Sequence, residues 1–368
     1  MIKQLINWVS NPAIAFSLFI VIFILLFPPS SKLYKIHRRL KLDRLWTSTG
    51  GIILFTGLIA FFIWGATDIN FRLIVFKPDN VPITALIFLV TFFLWFSMKQ
   101  ARDNDLRMEE GQPPREAHDN EKILVWPDLI YTELISLLLA MAVLIVWSIF
   151  LKAPLEEPAN PTVSPNPAKA PWYFLGLQEM LVYFDPWLAG VILPTMIIVG
   201  LMAIPYIDTN EGGGGYYSYK PRLKAISLFI FGFLVLWIFL TLVGTFLRGP
   251  NWNFYGPFEF WDANKRVVTN NINLSEYIYI FLLGVGLPGN IIIREIFGIL
   301  IVLGYFAIVP GVLAQTVLKD MFKRIGIIRY SVFVVLLLMA LSLPIKMYAR
   351  WLFDLKYIVS IPEFFLNI

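Results

Sequence analysis

The chain has 368 residues, of which 58% are hydrophobic and 15% are charged, and its mean hydropathy is +0.70. Soluble globular proteins carry about 25% charged residues, so this composition indicates a membrane protein. Cysteine is absent, which excludes disulfides, thiolate-bound iron–sulfur clusters and haem attachment through cysteine in this chain. The formal net charge is +5. Because Lys and Arg flank apolar segments rather than forming a basic domain, we expect no nucleic-acid partner.

Eight apolar runs are candidates for membrane-spanning helices, since roughly 20 residues cross a bilayer and a helix satisfies its own backbone hydrogen bonds in lipid. They cover residues 12–28, 50–67, 82–98, 127–151, 187–206, 224–247, 291–316 and 328–349. The first run lacks the basic start and the cleavage site of a signal peptide, so we interpret it as a retained span. The run 275–288 is short and contains glycine and proline, which indicates an interfacial or re-entrant segment. The predicted fold class is all-α, a polytopic membrane helical bundle of about eight transmembrane helices.

Basic residues concentrate in alternate loops of this predicted bundle. Loops 29–48, 99–125, 207–224 and 317–330 contain 18 of the 30 Lys and Arg residues. Positively charged loops stay on the cytoplasmic side, so both termini and the stretch 165–184 are predicted to face the periplasm. The two histidines, His37 and His118, lie in charged loops, where neither is placed to ligate a haem within the membrane.

Three motifs lie between residues 122 and 247. WPDLIY begins at Trp126, Ala159-Asn160-Pro161 is followed after ten residues by Trp172-Tyr173, and IPYIDTN precedes the basic stretch YSYKPRLK. Together they resemble the carboxy-terminal half of cytochrome b in cytochrome bc complexes, and subunit IV of the plastoquinol-oxidising relatives. In that family a helix ends in a loop with Ala-Asn-Pro or Ala-Asp-Pro, which precedes a Pro-Glu-Trp-Tyr motif. The resemblance covers about a third of the chain.

The resemblance implies that the loop before Trp172 forms a wall of a quinol oxidation pocket. Such a pocket needs an apolar slot, aromatic rings that pack on the quinol, and a group that accepts its hydroxyl protons. Prolines suit a loop at membrane depth because they lack backbone N–H donors. The candidate quinol-binding residues are Pro171, Trp172, Tyr173, Phe174, Leu175 and Gln178. Alternatively, Trp172 and Tyr173 are interface anchors and Glu179 points at headgroups or a partner.

One departure from the family motif concerns the proton acceptor. The family's Pro and Glu align with Ala170 and Pro171, so that carboxylate is absent here. Glu179 is the nearest carboxylate in the same segment and is our candidate for its replacement. Asp128 lies where the family often has an Asp beside an inner quinone site, although an acid in a first helical turn also favours the helix dipole. Glu133, deeper in the same span, is expected to face protein or water.

The amino-terminal half of cytochrome b carries four histidines for two b haems, and this chain has no such set. The resemblance therefore implies a split system in which a haem-b-bearing cytochrome b subunit is the partner, together with a Rieske iron–sulfur protein and a c-type cytochrome. We expect a multi-pass subunit of the bacterial inner membrane in a dimeric complex, inactive alone, that ligates no metal or haem itself. Its substrate would be a quinol, specifically menaquinol.

The predicted organisation has three parts. Residues 1–121 contain three additional helices, residues 122–247 the quinol-site domain, and residues 248–368 an aromatic loop and two more helices. Two other functions stay open. A quinone-binding anchor of another respiratory complex would need carboxylates in the first three spans, which contain almost none. A secondary transporter would need broken helices and paired midplane charges, and spans 5 and 6 contain no midplane charges.

Overall fold

Helices dominate the computed structural model of the chain, which describes residues 1–118, 122–151, 153, 158, 160–209 and 217–368. The helices, in chain order, are α1 (Ile2–Val9), α2 (Pro12–Leu26), α3 (Ser31–Arg39), α4 (Ser48–Gly65), α5 (Ile69–Val75), α6 (Pro78–Glu109), α7 (Val125–Phe150), α8 (Leu175–Met180), α9 (Leu188–Ile207), α10 (Lys220–Leu247), α11 (Leu274–Glu276), α12 (Ile291–Gln315) and α13 (Lys319–Phe353). A small antiparallel hairpin near residue 368 pairs β1 (Ser360–Ile361) with β2 (Leu366–Asn367).

Seven of these helices are long and apolar enough to cross a membrane: α4, α6, α7, α9, α10, α12 and α13. An eighth crossing is formed if α1 and α2 count as one span, although they meet at an angle of 84°. Among the described residues, the predicted all-α membrane bundle of about eight helices is therefore confirmed. The run 275–288 does not form a long helix. A π-helical turn, Tyr277–Leu282, follows α11, and Gly284 then takes a positive φ of 66°.

Polar caps set where several helices begin. The side chains of Asn11, Ser30, Thr47, Asp68 and Asn290 each accept a hydrogen bond from a backbone N–H in the first turn of the helix that follows. Such caps satisfy donors that have no partner within the helix, and each contributes about 1 kcal/mol. The apolar runs therefore begin as helices where the sequence supplies a short polar side chain.

The core joins all three predicted parts of the chain. The ring of Phe16 in α2 lies 5.3 Å from that of Phe239 in α10 and 5.7 Å from that of Trp351 in α13. In the most apolar 18-residue stretch of α10, 44% of the residues are buried, the largest share among the spanning helices. α10 is thus the central helix, and α2 and α13 pack against it.

Polar contacts form a layer at each end of the bundle. At one end, Asp105 accepts hydrogen bonds from the backbone of Tyr219 and Lys220, and Glu109 pairs with Arg38 and Lys220. We call this the Asp105 end. The opposite layer, the Trp172 end, joins α1 and the loop before α8 to the segment 248–273, and joins the β-hairpin to the turn between α8 and α9. These contacts hold the loop of the candidate site against the segment 248–273.

Candidate functional site

The loop before α8 is closed by one side chain, that of Gln178. Its Oε1 accepts a hydrogen bond from Ala170 N at 2.7 Å, and its Nε2 donates to Ala168 O at 2.9 Å. The chain then enters a 3₁₀ turn, Trp172–Phe174, and continues as α8. Gln178 therefore holds the approach to Trp172 against the helix that follows it. This contact gives Gln178 a structural role in addition to its predicted place in the wall.

Three consecutive aromatic rings follow the loop. The ring centroids of Trp172 and Tyr173 are 5.6 Å apart, and those of Tyr173 and Phe174 are 4.7 Å apart. Trp172 is half-buried, whereas Pro171, Tyr173 and Phe174 are exposed. Leu175, by contrast, is buried in the core. The predicted wall therefore has an exposed aromatic surface, formed by Tyr173 and Phe174, and a buried anchor, Leu175.

The anchor depends on close packing between α8 and α10. A Cβ atom at Gly176 would lie 3.0 Å from both Thr241 Oγ1 and Trp237 Cδ1, which is closer than ordinary van der Waals contact. A glycine at this position allows the two helices to approach. Through Gly176 and Leu175, the short α8 is fixed on the central helix, and the aromatic surface is fixed with it.

The buried carboxylate of Glu179 pairs with Arg248. Arg248 Nη2 donates to Glu179 Oε1 at 2.6 Å and Arg248 Nε donates to Oε2 at 3.0 Å. Glu179 is fully buried, and Arg248 is 8% exposed. The third donor, Arg248 Nη1, bonds to Trp252 O at 2.9 Å. Buried charges are tolerated only when they are paired and hydrogen-bonded, and this pair meets both conditions.

Tyr183 completes this cluster. Its hydroxyl donates to Glu179 Oε1 at 3.3 Å, and its ring lies edge-on to that of Trp351, with centroids 5.8 Å apart. Burial, and secondarily the Glu179 charge, raise the pKa of the Tyr183 phenol above its ordinary value. Tyr183 therefore stays protonated and acts as a hydrogen-bond donor to the carboxylate.

Lys169 lies on the same side of the molecule, two residues before Pro171. Its Nζ donates to Thr245 O at 2.8 Å and lies 4.9 Å from the centroid of the Trp261 ring. Burial, together with the like charge of Lys77, lowers the pKa of Lys169 to about 7. The buried setting therefore disfavours the charged form of this amine.

The segment 248–273 contacts the proline-rich loop, most of whose described residues are exposed. Asn166 Nδ2 donates to Asn251 Oδ1 at 2.9 Å, and Asn251 N donates to Asn166 Oδ1 at 2.5 Å. Asn251 has a φ of 58°, a left-handed conformation that Asn adopts more readily than most residues. This reciprocal amide pair fixes the aromatic segment over the loop.

The other candidate carboxylates lie apart from this cluster. Asp128 is exposed near the beginning of α7, where its backbone carbonyl accepts a hydrogen bond from Thr132 Oγ1. Glu133 is also exposed. Every residue from 128 to 150 is exposed, so none of that helix is buried against the described part of the chain. An inner quinone site at Asp128 stays a prediction, and Ala159 lies outside the described residues.

Arg248 is the functional residue that the sequence analysis missed. It follows directly on the apolar run of α10 and is 69 positions from Glu179. A carboxylate in an apolar segment needs a cationic partner. The sequence signal for that partner was a basic residue at the end of a neighbouring predicted span. Among the described residues, no group of three or more His, Cys, Asp or Glu could hold a metal ion.

Residues 158–258 match the family model of cytochrome b (C-terminal)/b6/petD. This segment is a domain of that family. It includes the aromatic surface and both partners of the Glu179–Arg248 pair, and it overlaps the region of resemblance from residue 158 to 247. The predicted resemblance is therefore confirmed. The match covers about a quarter of the chain, and no solved structure matches the chain.

Proposed function

We propose that the chain is the quinol-site membrane subunit of a cytochrome bc-type quinol–cytochrome c oxidoreductase. The observation that carries the proposal is the exposed aromatic surface of Tyr173 and Phe174 within the cytochrome b C-terminal domain. Exposed rings on a rigid, buried anchor suit an aromatic ligand with an isoprenoid tail. The matched family supports a membrane subunit of a bc-type complex. A quinol as substrate, specifically menaquinol, and release of protons are the finer parts of the proposal.

Some residues of the wall would bind the quinol, and others would hold the wall in position. Tyr173 and Phe174 would pack on the quinol ring, with Trp172 at its half-buried edge. Gln178 would hold the loop, and Leu175 would hold the surface on α10. When bound, quinol supplies two electrons and two protons, and the wall excludes water from one of its faces. Glu179 stays our candidate proton acceptor, and both of its carboxylate oxygens are hydrogen-bonded to Arg248.

The electron acceptors would belong to other subunits. We propose a haem-b-bearing cytochrome b subunit, a Rieske iron–sulfur protein and a c-type cytochrome as partners in a dimeric complex, with no haem ligated by a His or Cys of this chain. α7 supports a lateral partner, because it is apolar and exposed along its length. The Trp172 end would face the periplasm of a bacterial inner membrane and the Asp105 end the cytoplasm.

The groove between α4 and α6 is a weak candidate for the quinone site that the alternative function, a quinone-binding anchor of another complex, would need. It has a volume of about 400 Å³ and is lined by Ser48, Gly51, Ile52, Phe55, Thr56, Ile59, Phe92 and Trp95. None of these side chains ionises near neutral pH, so the groove offers no group to take up a quinol proton. It suits a lipid chain better than a redox site.

Purification of the chain with its natural partners tests the proposal. We expect co-purification with a b-type cytochrome, reduction of its haems by a quinol, and quinol-dependent reduction of a c-type cytochrome. Tyr173→Ala and Phe174→Ala should lower quinol turnover while the complex stays assembled. A purified, intact complex that contains no b haem, or that is not reduced by either menaquinol or ubiquinol analogues, would contradict the proposed function.

A further inference from the structure

The segment 160–180 contains few groups that could take up a proton from a quinol. Its ionisable side chains are Lys169, Tyr173 and Glu179. Glu179 is fully buried, with each carboxylate oxygen bonded to Arg248. Both oxygens are thus occupied by charge-assisted hydrogen bonds, which are shorter and stronger than neutral ones. Tyr173 lies on the exposed aromatic surface and offers a hydroxyl group rather than an amine or a carboxylate.

Lys169 differs from both because no carboxylate of the described residues pairs with its charge. Within the described part of the chain, the contacts of its amine are the Thr245 carbonyl and the face of Trp261. The charged groups that act on it are Lys77, Arg248 and Glu179, of which the two cations disfavour the ammonium form and the carboxylate favours it. The half-buried amine therefore lies in a setting where it can gain and lose a proton.

The position of Lys169 also fits a route toward the aqueous phase. Lys169 precedes the wall residue Pro171 by two positions, so the backbone links it directly to the aromatic surface. The ring of Trp261, in the segment 248–273, lies 4.9 Å from the amine. Lys169 is only partly buried, so solvent can reach this residue next to the wall sequence.

We propose that the Lys169 amine takes up one proton that quinol releases at this wall and passes it to solvent beneath the segment 248–273. The inference rests on the proposed function. In the step, quinol would give up two electrons to iron–sulfur and haem acceptors of partner subunits and become quinone. One of its two hydroxyl protons goes to the neutral amine, which becomes ammonium and then returns to the amine by releasing the proton to water. The second hydroxyl proton goes to a group of the partner subunits or to water. Lys169 acts as a relay for this proton.

Two substitutions separate proton transfer from packing. Lys169→Arg keeps a charged donor for the Thr245 carbonyl but stays protonated, and Lys169→Met removes the donor while keeping an unbranched side chain. In the assembled complex, both should lower quinol oxidation by about 10²-fold or more, the lower range of general acid–base assistance. A purely structural lysine would be rescued by arginine. Lys323→Met, which makes the same chemical change at an exposed residue of the Asp105 end, is the matched control.

The pH profile provides a second measurement. Quinol oxidation by the wild-type complex should rise as the pH increases through about 7, because the neutral amine is the acceptor and the pKa of Lys169 is about 7. Both Lys169 variants should lose this rise. Lys77→Gln removes a like charge, so the pKa of Lys169 and the midpoint of the profile should move to higher pH.

A readout independent of turnover is competitive acetylation of the intact complex, followed by mass spectrometry. The reactivity of Lys169 should titrate near pH 7, well below that of an added peptide lysine, whose pKa is about 10.4. An ordinary titration of Lys169, rescue by arginine, or an unchanged pH profile in Lys169→Met would overturn the relay while quinol oxidation by the wild type still supported the proposed function. A wild-type complex that oxidises no quinol would overturn both.

Discussion

Replacing Glu179 with Gln changes one charge in a buried pair and tests two roles for this carboxylate. Glu179 is fully buried, and its bidentate partner Arg248 is 8% exposed. Breaking a buried ion pair by removing one partner costs about 3–5 kcal/mol, because the other charge stays buried without compensation. The amide of Gln keeps one acceptor, so we expect a loss near the lower end of that range. The variant complex should unfold at a clearly lower temperature than the wild type.

A double substitution separates this structural cost from a catalytic one. Glu179→Gln with Arg248→Gln leaves no unpaired charge at this buried position, so much of the stability should return. If Glu179 serves only to hold Arg248, quinol oxidation should return with it. If Glu179 is the proton acceptor, turnover should stay about 10²–10⁴-fold below that of the wild type in a stable complex. Thermal unfolding of the purified complex and quinol–cytochrome c turnover measure the two effects.

A partly exposed ion pair on the same side supplies the control. Glu259 pairs with Lys265 at 2.9 Å, and their side chains are 41% and 32% exposed. Exposed pairs contribute about 0–1 kcal/mol, so Glu259→Gln should unfold close to the wild-type temperature. If Glu179→Gln alone were as stable as the Glu259→Gln control, the argument from the buried pair would be wrong.

Three further predictions address topology, haem content and packing. A cysteine at Ser164 should react with an impermeant thiol reagent added from the periplasmic side, and one at Arg39 should not; the opposite pattern would reverse the orientation. The folded chain, purified without partners, should show no b-haem absorption band, and a band abolished by replacing His37 would refute this. Gly176→Val should lower thermal stability because its side chain would meet Trp237 and Thr241, whereas Gly190→Val, with no atom within 4 Å of a built Cβ, should not.

The spanning helices could be predicted from the sequence because hydropathy is a local property. The predicted spans 127–151 and 291–316 agree closely with α7 and α12, which cover Val125–Phe150 and Ile291–Gln315. The agreement is poorer for α13, where a break in the backbone geometry divides the helix. α13 begins at Lys319, but its helical φ/ψ angles are interrupted at Gly326, where φ is 76°. The predicted span 328–349 corresponds to the part after this break.

Contacts between distant segments could not be predicted in this way. The Glu179–Arg248 pair and the Asn166–Asn251 pair join residues 69 and 85 positions apart. The β-hairpin is a further example, since Asn367 Nδ2 donates to Asp185 Oδ2 at 3.0 Å. A buried carboxylate needs a cationic partner. The packing of α8 on α10 determines which cation lies close enough to pair with it. The sequence therefore indicated a candidate site and left its electrostatics undetermined.

The additional helices limit where partner subunits can bind. α2 and α13 cover the central helix α10, through Phe16, Phe239 and Trp351. That side of the cytochrome b C-terminal domain is occupied by the chain itself. The aromatic surface at Tyr173 lies within the matched residues 158–258, and α7 precedes them; neither is covered by the described residues. The haem-bearing subunit that we propose should therefore approach from α7 and the aromatic surface, and crosslinks from Tyr173 should reach it while crosslinks from Phe16 should not.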